Sequence, residues 1–219
     1  MSTVMQQILT HGPNVDLNFI DTTFITDMNN LFSFSRFNGL INKWNVSNVT
    51  NMSSMFANSS FNQDISQWDV SNVTNMSSMF ANSSFNQDIS QWNVSKVTNM
   101  DLMFIRSKFN QPIGAWNTAA LQNANRMFAG SLFNQPINTW NVSSVENMEY
   151  IFLRSHFKGD IHNWAPRVKE TKNFISPYIE KNKTTSELTL SFWEYQQVCE
   201  RRLLKTQYVK SPEKPIHTL

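Results

Sequence analysis

The 23 residues Val46–Trp68 recur without a single change as Val70–Trp92. A chain that copies itself on a 24-residue period puts equivalent residues in equivalent surroundings, as a stack of like units does and a closed globule does not. The period extends well beyond the verbatim pair. Phenylalanine stands at 37, 61, 85, 109, 133 and 157, and tryptophan at 44, 68, 92, 116, 140 and 164. An isoleucine ladder (41, 65, 89, 113, 137, 161) and a second phenylalanine ladder (32, 56, 80, 104, 128, 152) keep the same register. Coincidence does not hold four ladders in step.

The template reads Phe-Asn-x-x-Ile-x-x-Trp-x-Val-Ser-x-Val-Thr-Asn-Met-x-x-Met-Phe. Within it, Ile65-x-x-Trp68-x-Val70 has leucine-rich-repeat spacing. The alternation of Trp68 and Val70 predicts a short strand with both side chains inward. Thr74 or Asn75 has the chemistry of an N-cap. Met76, Met79 and Phe80, at i, i+3 and i+4, predict a short α or 3-10 segment with one buried face. Asn82-Ser83-Ser84 supplies the return turn. A coil this short cannot bury its own apolar face. Stacking at roughly 4.8 Å per strand would bury Phe on Phe, Trp on Trp and Met on Met.

Three segments are expected. Residues 1–36 form an N-terminal cap with a degenerate repeat, in which Leu17, Ile20, Ile25, Met28, Leu31 and Phe32 stay in register while the Phe and Trp are lost. Residues 37–180 hold six repeats, the last continuing through Val168, Phe174 and Ile175 after a one-residue deletion. Residues 181–219 form a C-terminal helix and extended tail: Leu188, Phe192, Tyr195 and Cys199 fall at helical spacing, and Pro212 and Pro215 follow. The helix is read as a cap on the last coil, which repeat arrays require. The alternative is a docking element presenting Trp193, Arg201, Arg202 and Lys205.

The phrase Phe-Asn-Gln-Asp-Ile-Ser-Gln-Trp-Asp-Val-Ser-Asn-Val-Thr-Asn-Met-Ser-Ser-Met-Phe, residues 61–80, resembles the repeat of BspA-type leucine-rich-repeat proteins, first catalogued as a Mycoplasma-type family of unknown function. The resemblance runs from residue 37 to about 165. It implies a right-handed, leucine-rich-repeat-like solenoid of short parallel strands and short helical segments. It also implies a recognition or adhesion role, which many members perform at a cell surface, and it carries no catalytic residues. Repeats of this kind also occur in virus and phage genomes.

Composition narrows the partners. The net charge of +2 gives no overall electrostatic pull toward nucleic acid or acidic lipid. Residues 166–219 hold 10 Lys/Arg against 6 Asp/Glu, so the basic character is confined to the C-terminal segment. No apolar run approaches the roughly 18–20 residues of a membrane span. The first ten residues lack the basic and apolar regions of an export signal. The sequence therefore reads as a soluble binder, with an intracellular or virion-associated location favoured over the cell surface.

Catalytic motifs are not found. Asp64 and Asp88 occupy one template position and would stand roughly 5 Å apart, a spacing compatible with a carboxylate pair. Pro112 and Pro136 replace them in the next coils, so they read as copied surface residues. His11, His156, His162 and His217 show no metal-ligand spacing, and Cys199 reads as a core residue. No cofactor or metal is expected, and no enzymatic activity.

The expected partner is another protein, bound by a non-catalytic module such as a virus- or phage-encoded virion component or host-protein inhibitor, with self-association through the C-terminal helix or tail as a further route. The alternative is a bacterial surface adhesin or carbohydrate-binding protein. One candidate surface is the outward strand face: Lys43, Gln67, Asp69, Gln91, Asn93, Asn117 and Asn141. The more informative one is where copying stops. Ser53-Ser54 and Ser77-Ser78 give way to Asp101-Leu102, Asn125-Arg126 and Glu149-Tyr150. Ala57-Asn58-Ser59-Ser60 gives way to Ile105-Arg106-Ser107-Lys108 and Leu153-Arg154-Ser155-His156. Arginine and tyrosine are enriched at interface hot spots, which makes Ile105, Arg106, Lys108, Arg126, Leu132, Tyr150, Leu153 and Arg154 a candidate contact edge, the alternative being drift in older repeats or packing against the C-terminal helix.

Overall fold

The computed structural model describes residues 2–164. The expected C-terminal helix and tail, with Val168, Phe174, Ile175 and Cys199, lie outside the described residues. Within them the 24-residue coils stack in register. Single-residue parallel bridges join Asp27 to Asn51, Asn51 to Asn75, and so on by the same step to Asn147. The four ladders meet as one continuous core. Phe56 and Phe61 stack within a coil at 4.2 Å between ring centroids, and Phe56 stacks on Phe80 of the next coil at 5.7 Å. Such pairs contribute about 0.5–1.5 kcal/mol each beyond the area they bury.

Polar ladders fix the register that the rings leave free to slide. From Trp68 to Trp164 each ladder tryptophan donates its indole N–H to the isoleucine carbonyl one coil back, as Trp92 does to Ile65 at 3.2 Å and Trp140 to Ile113 at 2.9 Å, and Trp44 donates likewise to Leu17. The asparagine after the first Phe works forward. The side-chain oxygen of Asn62 accepts the backbone N–H of Asn86, and that of Asn86 accepts the N–H of Asn110, both at 2.8 Å. A buried N–H left unpaired is costly, so the Phe-Asn pair is structural in both members.

Two local expectations are corrected. Met76, Met79 and Phe80 are fully buried, but on successive turns, not a helix. Met79 N–H bonds to the Met76 carbonyl and Ala81 N–H to the Ser78 carbonyl. Ser78 and Asn82 lie at φ 56° and 51°, a left-handed conformation that a right-handed helix cannot contain. The alternate N–H groups of Met76, Ser78, Phe80 and Asn82 thereby point at the next coil and bond to Asn99, Asp101, Met103 and Ile105.

The strand over Trp68–Val70 is likewise absent. Trp68 and Val70 do point inward, 4% and 1% exposed, but Trp68 N–H bonds to Ile65 and Val73 N–H to Val70 within the coil. Turn bonds consume the groups a ladder would need. The bridge forms instead at Asn75, whose side-chain oxygen caps the N–H of Ser77 in a turn and does not cap a helix.

At the N-terminal end, the helix α1 (Ser2–His11) packs Val4 and Ile8 against the core. Leu17, Met28 and Phe32 are buried in the first coil, and Ile20 and Leu31 pack partly against it. Ile25, expected inward, is 40% exposed.

Candidate functional site

Two template positions per coil hold a positive φ. One column runs Asn30, Ser54, Ser78, Leu102, Arg126, Tyr150; the other runs Phe34, Asn58, Asn82, Arg106, Gly130, Arg154. Glycine takes this conformation freely and asparagine at low cost, while other L-residues pay roughly 1–2 kcal/mol. The second column thus places two arginines, at φ 52° and 56°, where the template has asparagine. Their backbone is held in place: Arg106 N–H bonds to Ala129, Arg126 to Glu149 and Gly130 to Leu153.

These columns shape a groove of about 300 Å³ lined by Ile105, Arg106, Arg126, Ala129, Gly130, Leu153 and Arg154. Its origin is one sequence step repeated across three coils. The outer coils present Ile105-Arg106 and Leu153-Arg154, and the middle coil presents Ala129-Gly130. A dip between two bulky neighbours is the result. At Gly130 a Cβ would come within 3.2 Å of the Arg106 Cγ, so any side chain there would press on Arg106 and narrow the groove.

Five of the eight contact-edge residues, Ile105, Arg106, Arg126, Leu153 and Arg154, line this groove. Tyr150 joins them through Arg126, whose guanidinium lies over its ring. Lys108 and Leu132 fall outside it, on the next edge of the coil, with their N–H groups bonded back to Ser83 and Ser107. The groove-lining cations are exposed, and no carboxylate is among the lining residues. Ala129 and Gly130 escaped the sequence reading. The signal was present, since Gly130 stands where Asn58 and Asn82 stand in the template, but a small residue attracts no notice in a search for hot spots.

The other candidate face has a structural explanation. Lys43, Gln67, Asp69, Gln91, Asn93 and Asn117 are exposed and Asn141 half-buried, on turns and not on a strand. Asp69, Asn93, Asn117 and Asn141 each accept the N–H two residues on. The bonds from Ser71 hold the Asp69 carboxyl below its ordinary pKa. Asp64 and Asp88 do the same local work for Ser66 and Ser90. Among the described residues no three His, Cys, Asp or Glu side chains gather as metal ligands, and no helix is long and apolar enough to cross a membrane.

A second surface feature went unread in the sequence. Among the described residues, the exposed large hydrophobic side chains other than Leu132 lie between residues 5 and 40, with Phe19, Phe24 and Phe34 at 65%, 87% and 80% exposure.

Stacked coils on a 24-residue period, cross-linked by aromatic and asparagine ladders, define a repeat protein. The chain belongs to the family described as "Mycoplasma protein of unknown function, DUF285", which matches it twice, over residues 1–108 and 83–192. No curated protein and no solved structure matches it significantly.

Proposed function

We propose that the chain is a non-catalytic protein-binding module, a right-handed leucine-rich-repeat-like stack of the BspA type that meets its partner along the groove edge. One observation carries this reading: Ile105, Arg106, Arg126, Leu153 and Arg154, bulky or charged residues where the template is small and polar, line one groove spanning three consecutive coils. Two of them, Arg106 and Arg154, also occupy left-handed backbone positions where arginine is costlier than the template asparagine. A residue that destabilises its own coil and yet stands in an exposed groove is better explained by contact than by packing.

Affinity capture from the source cells tests the reading, with the full chain compared against an Arg106→Glu/Arg154→Glu variant of matched melting temperature. The expected result is a protein retained by the natural chain and lost by the variant. Equal recovery by both overturns the groove as interface. Binding to a glycan array with no protein recovered overturns the protein partner.

A further inference from the structure

We propose that the groove takes an extended acidic segment of the partner protein, one apolar side chain flanked by carboxylates, laid along the middle coil. The inference rests on the protein-binding reading above and adds the chemistry of the occupant. Charge comes first. Arg106, Arg126 and Arg154 line the groove without an acidic residue among them, and neither Arg106 nor Arg126 forms an ion pair among the described residues. Arginine's planar fork matches a carboxylate bidentately, so the arrangement selects anions with direction as well as sign.

Shape comes second. Coils two apart stand roughly 9.6 Å from each other at strand spacing, room for one extended chain over the Ala129-Gly130 floor. Ile105 and Leu153 are half-buried walls on either side of that floor. They suit an apolar side chain between the charged ones. Side chains of an extended segment alternate in direction, so with the apolar residue at i+1 turned toward the floor, acidic residues at i and i+2 share the opposite face, roughly 6.6–6.8 Å apart, where the exposed arginines of the two outer coils reach up to meet them.

The chain's own remaining residues are a poor occupant by charge, since residues 166–219 carry 10 Lys/Arg against 6 Asp/Glu. A free inorganic anion would satisfy the arginines but leave Ile105 and Leu153 uncovered.

Fluorescence polarisation with the full chain tests the proposal. The probes are a labelled peptide carrying Glu-Leu-Glu in a Gly/Ser context and its Gln-Leu-Gln counterpart, with inorganic phosphate as competitor. The acidic peptide is expected to bind about tenfold or more tightly than the amide one, and to weaken as salt rises. Gly130→Asn refills the gap with the residue the template carries at φ 55° and 51°. It should reduce binding about tenfold with the melting temperature little changed. Should that variant fail to fold, Arg106→Gln/Arg154→Gln is expected to give the same loss. Equal binding of the two peptides, or full binding by a folded variant with the gap refilled, would overturn the proposal. So would displacement of the peptide by phosphate at concentrations comparable to the peptide's own. A partner captured through Arg106 and Arg154 while the peptides fail overturns the acidic-segment inference alone. A groove variant that captures the partner normally overturns the protein-binding reading with it.

Discussion

The guanidinium carbon of Arg126 lies 5.2 Å from the centre of the Tyr150 ring. The two residues hold the same template position in successive coils, so the stacking step itself sets the cation over the ring. Tyr150 therefore orients an arginine that would otherwise lose rotamer freedom on binding.

Replacing Tyr150 separates that role from a hydroxyl contact. Tyr150→Phe keeps the ring face and should bind the partner as the natural chain does. Tyr150→Ala should weaken binding roughly two- to fivefold, the value of a surface cation–π contact of about 0.5–1 kcal/mol. Titration of both variants against the captured partner checks this.

The asparagine ladder predicts an asymmetric pair of substitutions. Asn86 Oδ1 accepts the N–H of Asn110 and, at 3.3 Å, the side-chain amide of Gln111. Asn86→Ala leaves the Asn110 N–H without its partner and should cost about 1–3 kcal/mol. Asn86→Asp retains the acceptor and should cost less. Urea unfolding of the two variants gives the order.

Backbone strain predicts a stabilising change. Leu102 sits at φ 59° where the template has serine. Leu102→Asn places a residue suited to that conformation on a half-buried edge and should raise stability by roughly 1 kcal/mol. Thermal melting would show it; a lower melting temperature would mean that Leu102 packs for more than its backbone costs.

Asp101 gives the pH dependence. Burial raises its pKa above the ordinary value of 3.8, against an opposing hydrogen bond from the Asn125 N–H. The folded state then binds the proton more tightly than the unfolded chain, so stability contributed by the neutral acid falls as pH rises from about 3.8 through the raised value. Asp101→Asn keeps an acceptor for Asn125 and removes the charge. Its benefit relative to the natural chain should be present at neutral pH and vanish in acid below the ordinary carboxylate range, as paired melting curves at the two pH values would show.

The ladders were legible because each one is a run of apolar or aromatic residues at constant spacing, and their burial follows from that alone. The inward pair Trp68 and Val70 was legible for the same reason. The local conformation was not. Met76, Met79 and Phe80 satisfy i, i+3, i+4 equally well on a helix and on two linked turns, and the deciding residues are the bland Ser78 and Asn82 at positive φ. α1 carried a helical signal too, since Val4 and Ile8 stand at i and i+4 on one face, but ten residues hold only two such apolar pairs, Val4/Ile8 and Met5/Leu9. At the groove, Arg106, Arg126 and Arg154 stood out as departures from the template, whereas the floor they need, Ala129-Gly130, is defined by what is lacking. Only stacking three coils side by side turns that absence into a shape.

Hydroxyl-radical footprinting of the complex with the captured partner tests the central claim most directly, because it reads side chains and not backbone bonds already made within the stack. The account predicts that Ile105, Tyr150 and Leu153 lose reactivity on binding while Phe19, Phe24 and Phe34 keep theirs. Protection of the three phenylalanines with the groove residues unchanged would contradict it and move the interface to the N-terminal end of the stack.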